Sequence, residues 1–224
     1  MFRKPVKAVL FDMDGLLLDS EAVYIQAMQA TARSLDREMS LAFCHSMIGI
    51  PRRECNDMIQ EHFGEGFDVE EFREIYSANV QRLMADRVPI KPGVVDLLDF
   101  LAERGLPCAV ATSAGRATAE SHLGRAGLLP RFAAVATRDD VERAKPFPDV
   151  YLEAARRLDV SPENCIAFED SNPGLTAAHA AGTMAIMVPD ILQPTDEVRA
   201  KCLHIAPDMV AVARLLRQHL PVPV

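Results

Sequence analysis

The chain has 224 residues, of which 49% are hydrophobic and 25% are charged, and its formal net charge at pH 7 is -8. This length and composition are those of a folded globular protein with a sizeable core, and they exclude a largely disordered chain. The acidic balance argues against a nucleic-acid ligand, because binding to a phosphate backbone requires a basic surface.

The first apolar run covers only residues 8–11, which is too short for the core of a signal peptide, and no other run could span a bilayer. The five cysteines are widely spaced and form no C-x-x-C pair. This spacing favours reduced thiols over a zinc site or a redox pair. We therefore expect a cytoplasmic protein that does not bind membranes, and a monomer, with a weak dimer as the alternative.

Val6 to Phe11 predicts a buried strand that runs directly into Asp12-Met13-Asp14-Gly15. Two acids two positions apart near strand geometry project in roughly the same direction, and Gly15 lets the chain turn away. A calcium loop is excluded because its glycine stands sixth in the loop, whereas Gly15 is fourth. This segment alone is compatible with a functional site or with a simple turn.

The next part of the chain, from about Ser20 to Asp86, contains only helical patterns. Its last helix begins after Asp68, which fits a capping position. We therefore predict an all-helical cap domain at residues 19–87. It is inserted into an α/β core domain that comprises residues 1–18 and 88–224.

Beyond the insertion, short apolar runs alternate with helical patterns. The predicted strands are Cys108–Ala111, Ala133–Ala136, Cys165–Phe168 and Met184–Val188, and the predicted helices are Gly93–Glu103, Ala117–Ala126, Asp149–Leu158 and Gly174–Ala181. Such alternation indicates a Rossmann-like α/β fold, in which a parallel sheet carries helices on both faces. Ligands of these folds bind at the carboxyl ends of the strands, so the residues that follow each strand are the candidates for chemistry.

Polar residues follow the second and third strands. Thr112-Ser113-Ala114 offers hydroxyls and backbone N–H groups before a helix, which suits an anion cradle but also an ordinary helix cap. Lys145 precedes a proline, which favours an extended loop. Taken alone, Lys145 would be a solvated surface charge.

The fourth strand ends in Glu169-Asp170-Ser171. Adjacent acids after an apolar run are costly unless they are solvated or hold a cation, although Asp170 or Ser171 could instead cap the next helix. Together, the four strand ends supply paired acids, a hydroxyl, a lysine and two more acids. These are the parts of a phosphoryl-transfer site.

In this order the segments resemble the motifs of the haloacid dehalogenase superfamily, and within it the phosphatases and mutases of the β-phosphoglucomutase-like branch. The resemblance runs from Val6 to about Val188 and includes a helical cap after the first motif. It rests on Asp12-x-Asp14-Gly15, Thr112, Lys145-Pro146 and Glu169-Asp170-Ser171.

The resemblance implies a Mg²⁺-dependent phosphatase that acts on a small phosphorylated metabolite such as a sugar phosphate. Asp12 would be the nucleophile that forms an aspartyl phosphate, and Asp14 would be the general acid and base. Asp12, Asp170 and the backbone carbonyl of Asp14 would bind Mg²⁺, with Glu169 in or next to the ligand shell.

The resemblance also implies the groups that hold the substrate. Thr112, with the neighbouring Ser113 and Ala114, would bind a phosphoryl oxygen, and Lys145 would balance the negative charge beside the nucleophile. In the insertion, the segment around Gly49 and Arg52 resembles the substrate-specificity loop of the family, where an arginine grips a distal anionic group. The alternative for Arg52 is a solvated charge at a helix start.

Two alternatives to the phosphatase stay open. The resembled sugar-phosphate mutase carries a histidine on its first cap helix, where this chain has Tyr24, and a lysine further along the cap. Residues 69–86 contain no lysine, so both departures favour the phosphatase. A phospho-aspartate receiver also places acids, a hydroxyl and a lysine around Mg²⁺, but it is about half this length and has no helical insertion.

Overall fold

The computed structural model describes residues 2–48, 50, 52–85 and 88–220, without the side chain of Arg52. The chain divides into two compact units, one formed by Met1–Asp19 with Val88–Val224 and the other by Ser20–Arg87. The first unit is an α/β domain, and the second is helical in the part that the structure describes. The five cysteines are free thiols, as expected.

The α/β unit is built on a six-stranded parallel sheet. Its strands are β1 (Ala8–Phe11), β2 (Cys108–Ala111), β3 (Ala134–Ala136), β4 (Cys165–Glu169), β5 (Met184–Met187) and β6 (His204–Ile205). The strand order is β3-β2-β1-β4-β5-β6, so β1 and β4 are central neighbours, with Phe11 opposite Phe168. Because these strands are parallel, the residues that follow them emerge at the same edge of the sheet.

Ten α-helices lie in the described part of the chain. They are α1 (Ser20–Ser34), α2 (Leu41–Ser46), α3 (Arg52–Phe63), α4 (Val69–Leu83), α5 (Val94–Glu103), α6 (Arg116–Arg125), α7 (Asp149–Arg157), α8 (Asn172–Ala180), α9 (Asp196–Lys201) and α10 (Met209–His219). Helices α7 and α8 pack on the sheet, where they join a fully buried core with alternate strand residues such as Leu10 and Ala167. Phe11 and Phe168 belong to the residues between these along the strands, and their rings contact each other.

The sheet and its helices confirm the predicted Rossmann-like α/β fold class, and the five predicted strands are present with small differences at their ends. The sequence patterns missed β6, which has only two residues and therefore no visible period. They also missed α9 and α10. The side chains of Thr195 and Asp208 cap these helices by accepting hydrogen bonds from backbone N–H groups of the first turn.

The helical unit consists of α1 to α4. As predicted, Asp68 caps α4, because its carboxylate accepts hydrogen bonds from the backbone N–H groups of Glu70 and Glu71. Helices α1 and α4 pack against each other. The Asn79 amide donates across this contact to the Thr31 hydroxyl oxygen at 3.0 Å, so a polar bond adds to the apolar packing.

The loop after β3 is held by the carboxylate of Asp140. It accepts hydrogen bonds from the backbone N–H and the hydroxyl of Thr137, both at 2.8 Å, and it pairs with Arg116 at 2.6 Å and Arg157 at 2.7 Å. Burial alone would raise the pKa of Asp140, but the hydrogen bonds from Arg116, Thr137 and Arg157 hold it well below its usual range.

We expect Asp140→Asn to lower the free energy of unfolding by about 2 kcal/mol at pH 7, because charge-assisted hydrogen bonds are lost. The folded-state pKa of Asp140 is depressed. Its stabilising contribution is therefore complete above the unfolded-state pKa and is lost as the pH falls towards the folded-state value. Urea unfolding at pH 7 and pH 3 measures the difference in free energy of unfolding between the unmodified protein and Asp140→Asn. This difference should be smaller at pH 3, and an equal difference at both pH values would contradict the role assigned to Asp140.

Candidate active site

Strand β1 leads directly into the loop that carries Asp12 and Asp14. The backbone N–H of Asp12 donates to the carbonyl of Phe168 at 3.0 Å, so the chain still follows the sheet at this residue. Gly15 then turns the chain with a φ of 79°. A Cβ at this position would overlap the carboxylate of Asp170, so glycine is required by the backbone conformation and by the close approach of Asp170.

Lys145 is a buried cation between two acids. Its ammonium nitrogen lies 2.5 Å from Asp12 Oδ1 and 2.5 Å from Glu169 Oε1, and only 6% of its side chain is exposed. Burial alone would lower the pKa of Lys145, but the two carboxylates raise it well above its usual value. Lys145 is therefore charged at neutral pH, and the surface-charge alternative is wrong.

Asp12, Glu169 and Asp170 form an acidic cluster whose oxygen ligand atoms all lie within 4.8 Å of one another. Burial raises the pKa of Asp12 to about 8, with Lys145 opposing the shift and Glu169 adding to it. Burial, with Asp12 and Glu169, also raises the pKa of Asp170 well above its usual value. A hard divalent cation among these oxygens would favour the ionised carboxylates, so the donor set fits such an ion.

Thr112 follows β2, the strand that pairs with β1. Its backbone N–H donates to the Ala136 carbonyl, and its hydroxyl oxygen accepts from the Ala114 N–H at 3.0 Å. Thr112 is buried, whereas Ser113 is exposed. Neither residue caps α6, whose N-cap is Gly115 without a side-chain hydrogen bond, so the capping alternative is wrong. The hydroxyl proton of Thr112 can therefore be donated to an anion.

Ser171 caps the helix that follows β4, whereas Asp170 belongs to the acidic cluster. The Ser171 hydroxyl accepts from the Gly174 N–H at 3.2 Å and caps α8, so Asp170 is not needed as the cap and can belong to the acidic cluster. Sequence reasoning missed Tyr151, a fully buried residue of α7 whose phenol donates to Glu169 Oε1 at 2.6 Å. A tyrosine on the apolar stripe of a helix was the available signal, because a buried phenol needs a hydrogen-bond partner.

The structure brings Asp12, Lys145, Glu169 and Asp170 together at one edge of the sheet. The described structure does not show the contacts of the two predicted specificity residues. Gly49 lies outside the described residues, and Arg52 is the first residue of α3 with a side chain that is not described.

Comparisons with known proteins point to one family of hydrolases. Residues 9–188 match the family model for haloacid dehalogenase-like hydrolases. A phosphorylated carbohydrates phosphatase from Thermotoga maritima is 32% identical over 79% of this chain and 82% of its own length. The CbbY protein of Rhodobacter capsulatus is 32% identical over 96% of this chain and 99% of its own length. A solved structure described as a putative β-phosphoglucomutase from Thermotoga maritima has a TM-score of 0.84 and 28% identity, covering 96% of this chain and all of that one.

The chain therefore belongs to the haloacid dehalogenase-like hydrolase family. It is an enzyme of the phosphoric monoester hydrolase class, as predicted, and this assignment leaves no role for the receiver alternative. No helix in the described ranges has both the length and the apolar character that crossing a membrane requires.

Proposed function

We propose that this protein is a Mg²⁺-dependent phosphatase that hydrolyses a phosphomonoester of a small metabolite, with a sugar phosphate as the substrate class, through an aspartyl phosphate on Asp12. The observation that carries the proposal is the buried contact of Lys145 with Asp12 and Glu169 beside Asp170. Phosphoryl transfer depends mainly on positioning and on neutralising charge, and this cluster supplies both.

We assign the Mg²⁺ site to the carboxylates of Asp12 and Asp170 and the backbone carbonyl of Asp14, with Glu169 in or next to the shell. Oxygen donors of this kind suit a small hard cation. The ion would supply charge stabilisation to the phosphoryl oxygens. Thr112, with Ser113 and Ala114, is the group that we expect to bind a phosphoryl oxygen.

The chemistry then follows in two steps. The Asp12 carboxylate attacks phosphorus, the bond between phosphorus and the ester oxygen breaks, and Asp14 gives its proton to the departing alcohol. Asp14 next takes a proton from water as the water oxygen attacks phosphorus, which releases inorganic phosphate and regenerates Asp12. Splitting one difficult displacement into two lowers the barrier of each, and proton transfer of this kind contributes about 10²–10⁴ in rate.

A mutase would transfer the same phosphoryl group to a sugar hydroxyl in place of water. The T. maritima structure with 28% identity carries a mutase description, whereas the 32% identical T. maritima relative is a phosphatase of phosphorylated carbohydrates. Tyr24 on α1 and the absence of lysine from residues 69–86 support the phosphatase.

Phosphate release from a panel of sugar, nucleotide and short-chain acid phosphates, with Mg²⁺ and with a chelator, would test the proposal. We expect metal-dependent multiple turnover on one or more sugar phosphates. Including both anomers of glucose 1-phosphate separates the alternatives, because a mutase would yield glucose 6-phosphate with little free phosphate. That product pattern, or turnover that survives full removal of the metal, would count against the proposal.

Arg52 is the residue that we propose for recognition of the distal anionic part of the substrate. If it has this role, Arg52→Ala should raise KM for the preferred sugar phosphate about 10-fold or more, as expected for the loss of a charged hydrogen bond. The KM for an aryl phosphate, which lacks a distal group, should change little. Arg53→Ala is the matched control and should leave both constants unchanged. Equal effects of Arg52→Ala on the two substrates would remove Arg52 from the specificity site.

A further inference from the structure

Both oxygens of the Glu169 carboxylate accept hydrogen bonds from protein groups. Its Oε1 accepts hydrogen bonds from the Lys145 ammonium at 2.5 Å and from the Tyr151 phenol at 2.6 Å. Its Oε2 accepts from the backbone N–H and the hydroxyl of Ser171, at 3.2 and 3.0 Å. A Cβ at Gly174 would overlap the carboxylate, so a glycine here lets α8 start directly against Glu169.

Tyr151 is the neutral donor of this arrangement. It lies on α7 with no exposed surface, and its ring centroid is 5.0 Å from the Lys145 ammonium nitrogen. One side chain therefore contacts both members of the Lys145–Glu169 pair, through its hydroxyl and through its ring. A phenol at neutral pH can donate its proton to a carboxylate, and an aromatic ring attracts an ammonium group.

We propose that Tyr151 is a positioning residue for catalysis, acting through Glu169 to hold Lys145 against Asp12. The inference rests on the proposed function, in which Lys145 neutralises charge beside the nucleophile. Without the phenol, Glu169 Oε1 loses its one neutral donor and has only Lys145 as its partner. Lys145 is then drawn towards Glu169, and its contact with Asp12, now 2.5 Å, weakens.

The kinetic test is a double-mutant cycle between Tyr151→Phe and Glu169→Ala. We expect Tyr151→Phe to lower kcat about tenfold while KM changes less than about twofold, since the loss of one charge-assisted hydrogen bond to Glu169 weakens the contact between Lys145 and Asp12. In the Glu169→Ala background, Tyr151→Phe should lower kcat less than about twofold, because Tyr151 can no longer act on Lys145 through Glu169. If Tyr151→Phe lowers kcat by the same factor in the unmodified protein and in Glu169→Ala, Tyr151 only supports packing, and the proposal is overturned.

The control is Tyr76→Phe, which makes the same chemical change in the helical unit. It should leave kcat and KM at the values of the unmodified protein. A loss as large as that of Tyr151→Phe would contradict a specific role for the Tyr151 hydroxyl.

A second measurement needs no turnover and no metal. The chain has five lysines, so protein labelled with ¹⁵N at the lysine side chains gives a simple ammonium spectrum. Buried Lys145 should give a signal protected from exchange with water, identified by its loss in Lys145→Met. Tyr151→Phe should shift or broaden this signal and Tyr76→Phe should not, whereas an unchanged Lys145 signal in Tyr151→Phe would overturn the proposal. Absence of phosphatase activity in the unmodified protein would instead refute the proposed function, so the two failures are distinct.

Discussion

Asp12→Asn should abolish phosphate release, with a loss of more than about 10⁴-fold, and should leave the protein folded. The loss is expected to be this large because an amide cannot replace the carboxylate as the attacking group, and removing a nucleophile takes away a whole pathway. The fold should tolerate the change, because asparagine has the same shape and no charge. Burial already raises the pKa of Asp12 to about 8, which means that the folded protein disfavours the charge in the absence of a metal.

The measurement pairs steady-state phosphate release with urea unfolding of the metal-free proteins. Lys145 keeps Glu169 as its partner in the variant, and asparagine replaces a buried carboxyl whose charged form the fold disfavours. We therefore expect the free energy of unfolding to fall by no more than about 1 kcal/mol. Asp96→Asn, an exposed aspartate on α5, is the control and should retain full activity. An Asp12→Asn protein that is folded and fully active would refute the mechanism.

Lys145→Met should be the most destabilising change in the site. It leaves the Asp12 and Glu169 side chains, which are 9% and 0% exposed, without their shared cation. Removing one partner of a buried ion pair typically costs about 3–5 kcal/mol, because the remaining charges are uncompensated. Catalysis should fall as well, since nothing would then neutralise the charge beside the nucleophile.

Two further variants make the test specific. Adding Asp12→Asn to Lys145→Met removes one of the two buried carboxyl groups, which without Lys145 must either stay charged or take up a proton on folding, and it should restore part of the lost free energy of unfolding. Lys201→Met is the matched control, because Lys201 pairs with an exposed glutamate one helical turn away and should cost about 0.5 kcal/mol or less. If the two single lysine variants are equally stable, or if Asp12→Asn brings no recovery, the buried pair does not have the role assigned here.

The residues at this edge of the sheet could be predicted from the sequence, because the carboxyl ends of parallel strands lie at the same edge. Because the carboxyl ends of parallel strands share one edge, Asp12 and Asp170 could be expected on the same side of the sheet, and the structure adds that their strands are neighbours with Phe11 opposite Phe168. The same reasoning reached Lys145, although the lysine follows β3 by several residues, because it comes after another strand end of the same sheet and a phosphoryl-transfer site requires a compensating cation. The parallel arrangement of the strands and residue chemistry were sufficient for this part of the site.

The environment of Glu169 could not be predicted in the same way. Tyr151 lies 18 residues before Glu169 on a helix, and their hydrogen bond depends on how α7 packs on the sheet. The apolar stripe of α7 predicts burial of the tyrosine but does not identify its partner. Similarly, Gly174 looked like an ordinary helix start, whereas its lack of a side chain is what admits the Glu169 carboxylate.

Trapping the covalent intermediate would show whether Asp12 carries the phosphoryl group during turnover. Enzyme quenched in acid during turnover of an aryl phosphate would be digested and analysed by mass spectrometry, with and without prior borohydride reduction. We predict one added phosphoryl group on the peptide that contains Asp12, conversion of that residue to homoserine by borohydride, and neither change in Asp12→Asn. A phosphoryl group on another residue, or active enzyme that shows none under conditions where hydrolysis of the intermediate limits the rate, would contradict the account.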